Sequence, residues 1–420
     1  MASKTKTSRV LIPTDISPIS AELQKINQYR SFAIYPYKTW RSIPSLSTAI
    51  YNISLSAGTV LTGTLSLAVS VAIVLPFGII KTTLDPIVRL IRFIANRNKT
   101  GPPRRRCVVI TGANSGIGAA LVLEYATSPN THLVLIARDI PRLKLVAEQA
   151  QTLAENITTE IHSVDFYDAA NAAVTLRSIL TDLDAKFGGI DVAIASAGVT
   201  GHRNGVLLPA SSSSEGHIPP VPSDTNDSQP LDLLNPSSSA PSSIATLGSR
   251  ILQVNVGATQ TFILYAFDLM RSRRRALPSS EYAPSIVVLS SVASYFTPAN
   301  FIFYGATKTY LGVLARTLSV AGSEWGINVL PVTPGFIRTP MTETMAATGA
   351  AAVPLWSMGR VQKLARKVKS REESGERGSP VVWPVWQGVS LYGFRAASPV
   401  FELFMWWGAA AIGMAGWTPS

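Results

Sequence analysis

A tyrosine and a lysine lie four positions apart in the segment YGATK, as Tyr304 and Lys308. On a helix, side chains at this spacing share one face. A phenol with its ordinary pKa of about 10 is a weak acid–base catalyst at neutral pH, and a nearby ammonium stabilises the phenolate and lowers that pKa. The pair is therefore suited to exchanging a proton with the oxygen of a carbonyl or an alcohol.

Two other polar side chains extend this hypothesis. Ser291 ends the apolar run SIVVLSS upstream of Tyr304, and a hydroxyl at the end of a strand can hold a substrate oxygen while the tyrosine exchanges its proton. Asn255 lies in the otherwise apolar stretch ILQVNVGATQTF. Ordinary interpretations stay open, since YxxxK often occurs by chance and an asparagine in a helix can serve capping or packing.

A glycine-rich turn, TGANSGIG, follows the apolar run CVVI and opens the helical stretch AALVLEYA. In that setting, glycines allow a tight turn, and the free N–H groups of the helix N-terminus attract the pyrophosphate of a dinucleotide. Its GxxxGxG spacing differs from the general GxGxxG fingerprint. The candidate cofactor-binding residues in this turn are Thr111, Gly112, Ser115, Gly116, Ile117 and Gly118.

The next apolar run ends in Ala137-Arg138-Asp139. A carboxylate at this point would bind the ribose 2′-hydroxyl of NAD(H), whereas an arginine would bind the 2′-phosphate of NADP(H). Arg138 comes directly after the run, so the sequence favours NADP(H). Asp139 keeps NAD(H) open as the alternative cofactor.

Apolar runs alternate with helical stretches from Gly101 onward. This alternation predicts an α/β domain with a parallel sheet that helices cover on both faces. The predicted strands lie at 107–110, 133–137, 191–197, 285–291, 328–334 and 381–386, and examples of the predicted helices are 119–126 and 143–153.

Taken in this order, the glycine-rich turn, the upstream asparagine, the strand-end serine, YxxxK and the dipeptide Pro334-Gly335 resemble the short-chain dehydrogenase/reductase family. The resemblance runs from Arg106 to Thr342 and extends towards Trp386. It implies a Rossmann-type, doubly wound parallel sheet. It also implies hydride transfer between a nicotinamide and a carbonyl or alcohol carbon.

The resemblance implies a role for each candidate residue. Tyr304 becomes the general acid/base, Lys308 lowers its pKa and binds the nicotinamide ribose, Ser291 orients the substrate oxygen, and Asn255 supports a proton-relay water. Further cofactor contacts are implied for Asp165 at the adenine, for Ile337 and Thr339 at the nicotinamide amide, and for Ala197, Gly198, Pro334 and Gly335.

Two features depart from the family pattern. Where the family has NNAG, this chain has Ala195-Ser196-Ala197-Gly198, so backbone contacts to the cofactor can persist while asparagine side-chain bonds are lost. A Ser- and Pro-rich insertion occupies 203–248, and its composition predicts disorder.

Apolar segments flank the predicted catalytic domain, which spans 101–386. A polar, basic and poorly ordered tail is predicted for 1–41. The stretch 42–80 has no charged residue and is long enough for a transmembrane helix, with a buried core helix as the alternative. Together with the basic segment that follows, 42–100 is predicted to anchor the chain with its catalytic domain on the cytosolic side. The hydrophobic, Trp-rich extension 387–420 is expected to dock at the membrane interface.

Composition narrows the function classes. The single cysteine, Cys107, excludes an intrachain disulfide, and the four scattered histidines with no CxxC or HExxH pattern argue against a metal site. The net charge of +12 suits an anionic cofactor or membrane. No nucleic acid partner is expected, because the basic residues cluster beside apolar segments rather than among aromatics.

These features together predict a membrane-anchored oxidoreductase that reduces a lipophilic ketone with NADP(H). The endoplasmic reticulum or another intracellular membrane is the expected location, and the expected partners are a lipophilic ketone or alcohol and the lipid bilayer. A homo-oligomer is compatible with the resemblance. The alternatives are NAD-dependent alcohol oxidation on the same fold and a catalytically silent, dinucleotide-binding membrane scaffold.

Overall fold

The computed structural model describes the central part of the chain. The described residues are 105–200, 248–276, 283–295, 297, 301–347, 357–375 and 380–387, with isolated positions between 61 and 87 and the pairs 206–207 and 231–232. The predicted tail 1–41, nearly all of 42–100, most of the insertion and residues 388–420 lie outside the described residues.

A seven-stranded sheet forms the centre of the domain. Its order is β11-β8-β7-β4-β1-β2-β3, and every neighbouring pair is parallel. The described strands are β1 (Arg106–Thr111), β2 (Thr131–Ala137), β3 (Thr158–Ser163), β4 (Val192–Ala195), β5 (Val206–Leu207), β6 (Leu231–Asp232), β7 (Ser285–Leu289), β8 (Asn328–Pro334), β9 (Ile337–Arg338), β10 (Gly359–Arg360) and β11 (Val381–Trp383).

Helices cover both faces of this sheet. They are α1 (Gly116–Tyr125), α2 (Ile140–Gln151), α3 (Ala169–Phe187), α4 (Thr259–Ala276), α5 (Ile302–Glu324), α6 (Pro340–Ala347) and α7 (Val361–Glu373), with a π-helical segment Gln253–Ala258 before α4 and a 3₁₀ turn Val292–Ser294 after β7. Successive strand residues point to opposite faces. Accordingly, Val109 packs in the core beneath α3, α4 and α5, whereas Val108 and Ile110 pack beneath α1, α2 and α7. The predicted doubly wound α/β fold is confirmed.

The sheet order reverses between β1 and β4. From β1 the chain runs to β2 and β3 on one side, and β4, β7, β8 and β11 follow on the other side. In open parallel sheets, ligands bind in the crevice outside the carboxyl ends of the strands at such a reversal. The glycine-rich turn leaves β1 at this crevice.

The predicted strands agree with the observed ones, with shifted bounds. The predicted strand 191–197 is shorter in the structure, because the N–H groups of Ser196 and Ala197 leave the sheet and bond the Thr111 hydroxyl. The predicted last strand begins at Val381 as expected but ends at Trp383. The polar strand β3 was not predicted from the sequence pattern.

The flanking predictions fall mostly on residues that the structure does not describe. Among the described residues, no helix is long and apolar enough to cross a membrane. The described positions Leu61, Ile80, Leu84 and Ile87 are helical, and their side chains are exposed. Within the insertion, β5 and β6 pair in a short antiparallel ladder and Gly248 is helical, whereas the other insertion residues lie outside the described residues.

Candidate active site

The glycine-rich turn needs its glycines for conformation and for space. Gly112 has φ +66°, and a Cβ there would lie 2.8 Å from the Ala197 Cα atom. A Cβ on Gly118 would lie 2.0 Å from the Gly112 carbonyl oxygen, so the first turn of α1 packs directly on the glycine-rich turn. Gly116 also has a positive φ, of +54°. This stretch therefore presents backbone rather than side chains to the crevice.

The N-terminus of α1 suits an anion. Ser115 is the N-cap residue, but its side chain makes no capping hydrogen bond, and the first turn carries no acidic residue. The first N–H groups of a helix have no partner within the helix and carry partial positive charge. The backbone of Ser115, Gly116, Ile117 and Gly118 therefore suits the pyrophosphate of a dinucleotide.

Thr111 connects the two strands that border this crevice, β1 and β4. Its side chain is buried, and its hydroxyl accepts hydrogen bonds from the N–H groups of Ser196 (3.1 Å) and Ala197 (3.3 Å). The same hydroxyl lies 3.3 Å from the carbonyl oxygen of Ile194, to which it donates. Thr111 thus joins the carboxyl ends of β1 and β4 and positions the segment after β4.

Ser291, Tyr304 and Lys308 meet at the carboxyl end of β7. Ser291 begins the 3₁₀ turn after β7, and its hydroxyl accepts from the Ala293 N–H group at 3.1 Å. Tyr304 and Lys308 lie in the first two turns of α5, with the lysine Nζ 5.7 Å from the centre of the tyrosine ring. The hydroxyl of Ser290 donates to the Lys308 carbonyl at 2.6 Å and ties α5 to the end of β7.

The pKa of the Tyr304 phenol is raised above its usual value. Burial raises this pKa, and a hydrogen bond with Ser291 opposes the rise without cancelling it. The sequence predicts instead that Lys308 lowers this pKa. The structure shows the opposite net direction because desolvation of the phenolate is the larger effect, so at neutral pH the phenol holds its proton.

Lys308 is buried, and its ammonium donates to the Leu289 carbonyl at 3.0 Å. Burial lowers the pKa of Lys308 to about 8. A Cβ on Gly198 would lie 3.2 Å from the Lys308 Nζ atom, so Gly198 leaves the space in which this ammonium sits. Gly198, a predicted cofactor-binding residue, and Lys308, a predicted catalytic residue, are therefore neighbours.

Asn255 lies in the π-helical segment before α4 and is completely buried. Its amide accepts from the Val199 N–H group at 2.8 Å and donates to the Val199 carbonyl at 2.9 Å and to the Thr307 hydroxyl at 3.0 Å. Asn255 thus fixes the chain after Gly198 against α5. Its predicted role in a water relay stays a prediction.

Arg138 and Asp139 serve different purposes at the end of β2. The Asp139 carboxylate caps α2 by accepting from the Arg142 N–H group at 3.1 Å. The Arg138 side chain is 45% exposed, and its guanidinium lies 4.0 Å from the Asp165 carboxylate and 5.4 Å from the centre of the Tyr167 ring. Arg138 and Asp165 therefore share the side of the crevice beyond β2 and β3.

The Pro334-Gly335 turn leaves β8 on the other side of the crevice. A Cβ on Gly116 would lie 3.5 Å from the Thr339 methyl group, which brings this turn against the glycine-rich turn. Thr342 accepts from the Thr339 N–H group at 3.0 Å and holds Thr339 in place. The Ile337 side chain is buried in the core and its carbonyl accepts a hydrogen bond from the Thr342 hydroxyl, so neither group is open to a cofactor contact.

Comparison with known proteins identifies the family. A sequence model of the family described as short chain dehydrogenase matches residues 106–213 and 245–349. The chain belongs to the short-chain dehydrogenase family. It is an oxidoreductase of this family, acting on a CH–OH or carbonyl group with NAD(P)(H).

Similar proteins cover most of the described domain. An uncharacterized oxidoreductase of Myxococcus xanthus is 28% identical over 239 residues, which is 57% of this chain and 75% of the relative. The 11-beta-hydroxysteroid dehydrogenase A of Sesamum indicum is 26% identical over 301 residues, which is 68% of this chain and 70% of the relative. A crystal structure of 3-oxoacyl-[acyl-carrier protein] reductase from Brucella melitensis in complex with NAD is 22% identical, covers 67% of this chain and 96% of its own, and has a TM-score of 0.50. This structural likeness supports the fold.

The geometry accounts for the chemistry of this short-chain dehydrogenase. The open N-terminus of α1 and the side-chain-free backbone around Gly112 and Gly118 fit a dinucleotide, which would supply or accept the hydride. Ser291 bonds the phenol of Tyr304, so a carbonyl oxygen between these two hydroxyls would receive a proton from Tyr304. With its ammonium 5.7 Å from the centre of the Tyr304 ring, Lys308 would favour the phenolate that proton donation leaves behind.

Several supporting residues were not predicted from the sequence. Thr307 and Ser290 hold Asn255 and Lys308, and Gln387 contacts the Pro334-Gly335 turn from a distant part of the chain. These residues act through hydrogen bonds that form only in the folded chain, and no spacing pattern in the sequence predicts such bonds. Among the described residues, no group of three or more His, Cys, Asp or Glu side chains could hold a metal ion.

Proposed function

We propose that this oxidoreductase uses NADP(H) to reduce a lipophilic ketone to an alcohol at a membrane surface. The proposed cofactor preference rests on the different roles of two neighbouring residues at the end of β2, Asp139 and Arg138. The Asp139 carboxylate caps α2, whereas the Arg138 side chain is 45% exposed. A carboxylate selects for NAD(H) only when it is available to the ribose.

The surroundings of Arg138 support an anionic ligand. The Tyr167 ring lies beside its guanidinium, and the charge of Arg250 also acts on the Tyr167 phenol. Asp165 is the acidic neighbour, but at 4.0 Å its ion pair with Arg138 is loose and half-exposed. Exposed pairs of this kind contribute little, so a 2′-phosphate can compete for the guanidinium.

The protonation state of Tyr304 supports reduction. Ketone reduction needs a phenol that donates a proton, whereas alcohol oxidation needs a phenolate that accepts one. Burial raises the pKa of Tyr304, so the donor form prevails at neutral pH. NAD-dependent alcohol oxidation, the alternative on the same fold, would require the less favoured form.

Membrane association and a lipophilic substrate rest on surface features and on one relative. Large apolar side chains are exposed at Leu61, Ile80, Leu84 and Ile87, in and just beyond the uncharged stretch. The outer face of α7 carries exposed Lys363, Arg366 and Lys367, which suit an anionic lipid surface. The sesame relative is named as a hydroxysteroid dehydrogenase, and its substrates are lipophilic by that name.

The cofactor preference is tested with Arg138→Ala. The substitution removes a charge-assisted hydrogen bond to the 2′-phosphate, so the Kd for NADPH should rise by about tenfold or more while the Kd for NADH barely changes. Lys144→Ala is the matched control, because it removes one exposed charge from α2 without touching the end of β2. Equal losses of NADPH and NADH affinity in Arg138→Ala would show that this arginine is structural.

The substrate class is tested with the detergent-solubilised full chain. NADPH depletion is followed with ketones of increasing chain length and with steroid ketones. The proposal expects kcat/KM to rise with the apolar surface of the ketone. A preference for short, polar ketones would contradict it.

A further inference from the structure

The backbone of the turn after β8 is held by residues from much later in the chain. The Gly335 N–H group donates to the Trp383 carbonyl at 2.9 Å, and the Phe336 carbonyl accepts from the Gly359 N–H group at 2.8 Å. The Phe336 N–H group donates to Gln387 Oε1 at 2.7 Å. Of these three partners Gln387 alone uses a side chain, so a single substitution can remove its bond.

The Gln387 side chain packs against this turn. Its side chain is buried, and its Oε1 atom fills the space above Gly335, where a Cβ would lie 2.0 Å away. The other end of the same amide, Nε2, donates to the Ser357 carbonyl at 3.3 Å. One amide therefore joins Phe336 to Ser357, which lie at the two ends of the segment between β8 and β10.

The position of this turn matters for cofactor binding. The family resemblance places Thr339 at the nicotinamide amide and implies cofactor contacts for Pro334 and Gly335. The Thr339 methyl group faces Gly116 in the glycine-rich turn. Phe336 lies one residue from Gly335 and three from Thr339. A displacement of the Phe336 N–H group would therefore change the width of the crevice between the two turns.

We propose that Gln387 is a positioning residue that holds the Pro334-Gly335 turn in the conformation that binds the nicotinamide dinucleotide. It lies beyond residue 349, where the match to the family ends. The proposal depends on the family's cofactor and not on the preference for NADP(H) or on the ketone. The segment after β11 thus serves the active site although it contributes no group to the reaction.

The test uses the full chain and two substitutions that distinguish the acceptor atom of Gln387, Oε1, from its donor atom, Nε2. Gln387→Leu keeps the approximate side-chain volume but removes both hydrogen bonds of the amide. The Kd values of NADPH and NADH should each rise by about tenfold, because the lost bond to the Phe336 N–H group has the net strength of an ordinary hydrogen bond. Gln387→Glu keeps an acceptor for the Phe336 N–H group and has no donor for Ser357 at neutral pH. Its Kd values should stay within about threefold of those of the unmodified chain.

The matched control is Lys369→Met, at the far end of α7. Lys369 is buried and donates to the Glu124 carbonyl at 2.9 Å and to the Thr127 hydroxyl at 2.8 Å, so this variant also loses two partly buried hydrogen bonds. It should lower the melting temperature and leave both Kd values unchanged. The proposal is overturned if Gln387→Leu binds both cofactors normally, if Gln387→Glu binds as weakly as Gln387→Leu, or if Lys369→Met weakens binding as much.

Discussion

At the scale of single residues, burial moves the two central pKa values in opposite directions. It raises the pKa of the Tyr304 phenol and lowers the pKa of the Lys308 ammonium to about 8. Both shifts favour the neutral forms, as expected when charged forms lose contact with water. The two groups nevertheless remain in their useful states at neutral pH, since the phenol keeps its proton and the ammonium its charge.

The first residue-scale prediction concerns the proton donor. Tyr304→Phe keeps the ring and removes the hydroxyl, so kcat for ketone reduction should fall by about 10²–10⁴ while the Kd for NADPH stays nearly constant. Tyr310→Phe is the matched control, because Tyr310 lies on the same helix with its hydroxyl bonded to Gln260 on the outer surface. A Tyr304→Phe enzyme that keeps most of its kcat would refute the assignment.

The second residue-scale prediction concerns pH. Because the Lys308 ammonium loses its proton as pH rises through about 8, kcat/KM for reduction should be level near neutrality and fall above about pH 8. The raised pKa of Tyr304 places loss of the phenol proton at higher pH. Lys308→Arg keeps a permanent charge, so this fall should move to higher pH even if the activity is lower. A wild-type profile that stays level to pH 10 would contradict the role of Lys308.

The motif residues could be predicted from the sequence because their types and spacings are themselves the requirement. Gly112 and Gly118 must be glycines because other backbone atoms lie too close to leave room for a Cβ. Tyr304 and Lys308 must be four residues apart to share one face of a helix. The purposes of Thr111 and Asp139 could not be predicted in the same way. The Thr111 hydroxyl bonds the segment after β4, and the Asp139 carboxylate caps α2. Both depend on contacts that only the folded chain creates.

At the scale of elements, β3 shows where pattern-based prediction fails. Its sequence TTEIHS has no apolar alternation, and it lies at the edge of the sheet, paired with β2 alone. Polar side-chain contacts hold it in place. His132 of β2 bonds the Thr158 hydroxyl at 2.7 Å, and Glu160 bonds His162 at 2.8 Å and Lys186 of α3 at 3.0 Å. These contacts replace the apolar signal that identifies the inner strands.

The element-scale prediction follows from the Glu160 carboxylate. Burial raises its pKa, but the hydrogen bonds from Lys186 and His162 outweigh burial and lower the pKa from 4.5 to about 2. A depressed carboxylate stabilises the fold above its unfolded-state pKa, and this contribution disappears as pH falls from about 4.5 to about 2. Denaturant unfolding of the wild type should therefore show a loss of stability in this window.

Glu160→Gln should flatten this part of the stability profile and leave the protein less stable than the wild type at neutral pH. Glu148→Gln, on the exposed face of α2, is the matched control and should follow the wild-type curve. Parallel curves for Glu160→Gln and the wild type between pH 4.5 and 2 would show that β3 does not depend on this carboxylate.

At the scale of the whole molecule, the proposed arrangement places the catalytic domain on the cytosolic side of a membrane. Alkaline carbonate should fail to extract the full chain and should release a variant that lacks residues 1–85 more readily. Asn156 and Asn226 lie in glycosylation sequons, and Asn156 is exposed in the turn before β3. Both should stay free of glycan in a eukaryotic cell. A glycan on Asn156 would place the domain in the lumen and reject this topology.

The pairing of β4 with β7 has a consequence for how this sheet could acquire its insertion. Val192 pairs with Ser285, and about half of the residues between them belong to the segment 203–248. The entropy lost on closing a loop grows only with the logarithm of its length, so each doubling of a loop costs about 0.6 kcal/mol. That is less than the transfer free energy of one buried methylene group, about 0.8 kcal/mol. Evolution can therefore lengthen or shorten this connection with little thermodynamic penalty, while a single cavity in the core beneath it would be selected against.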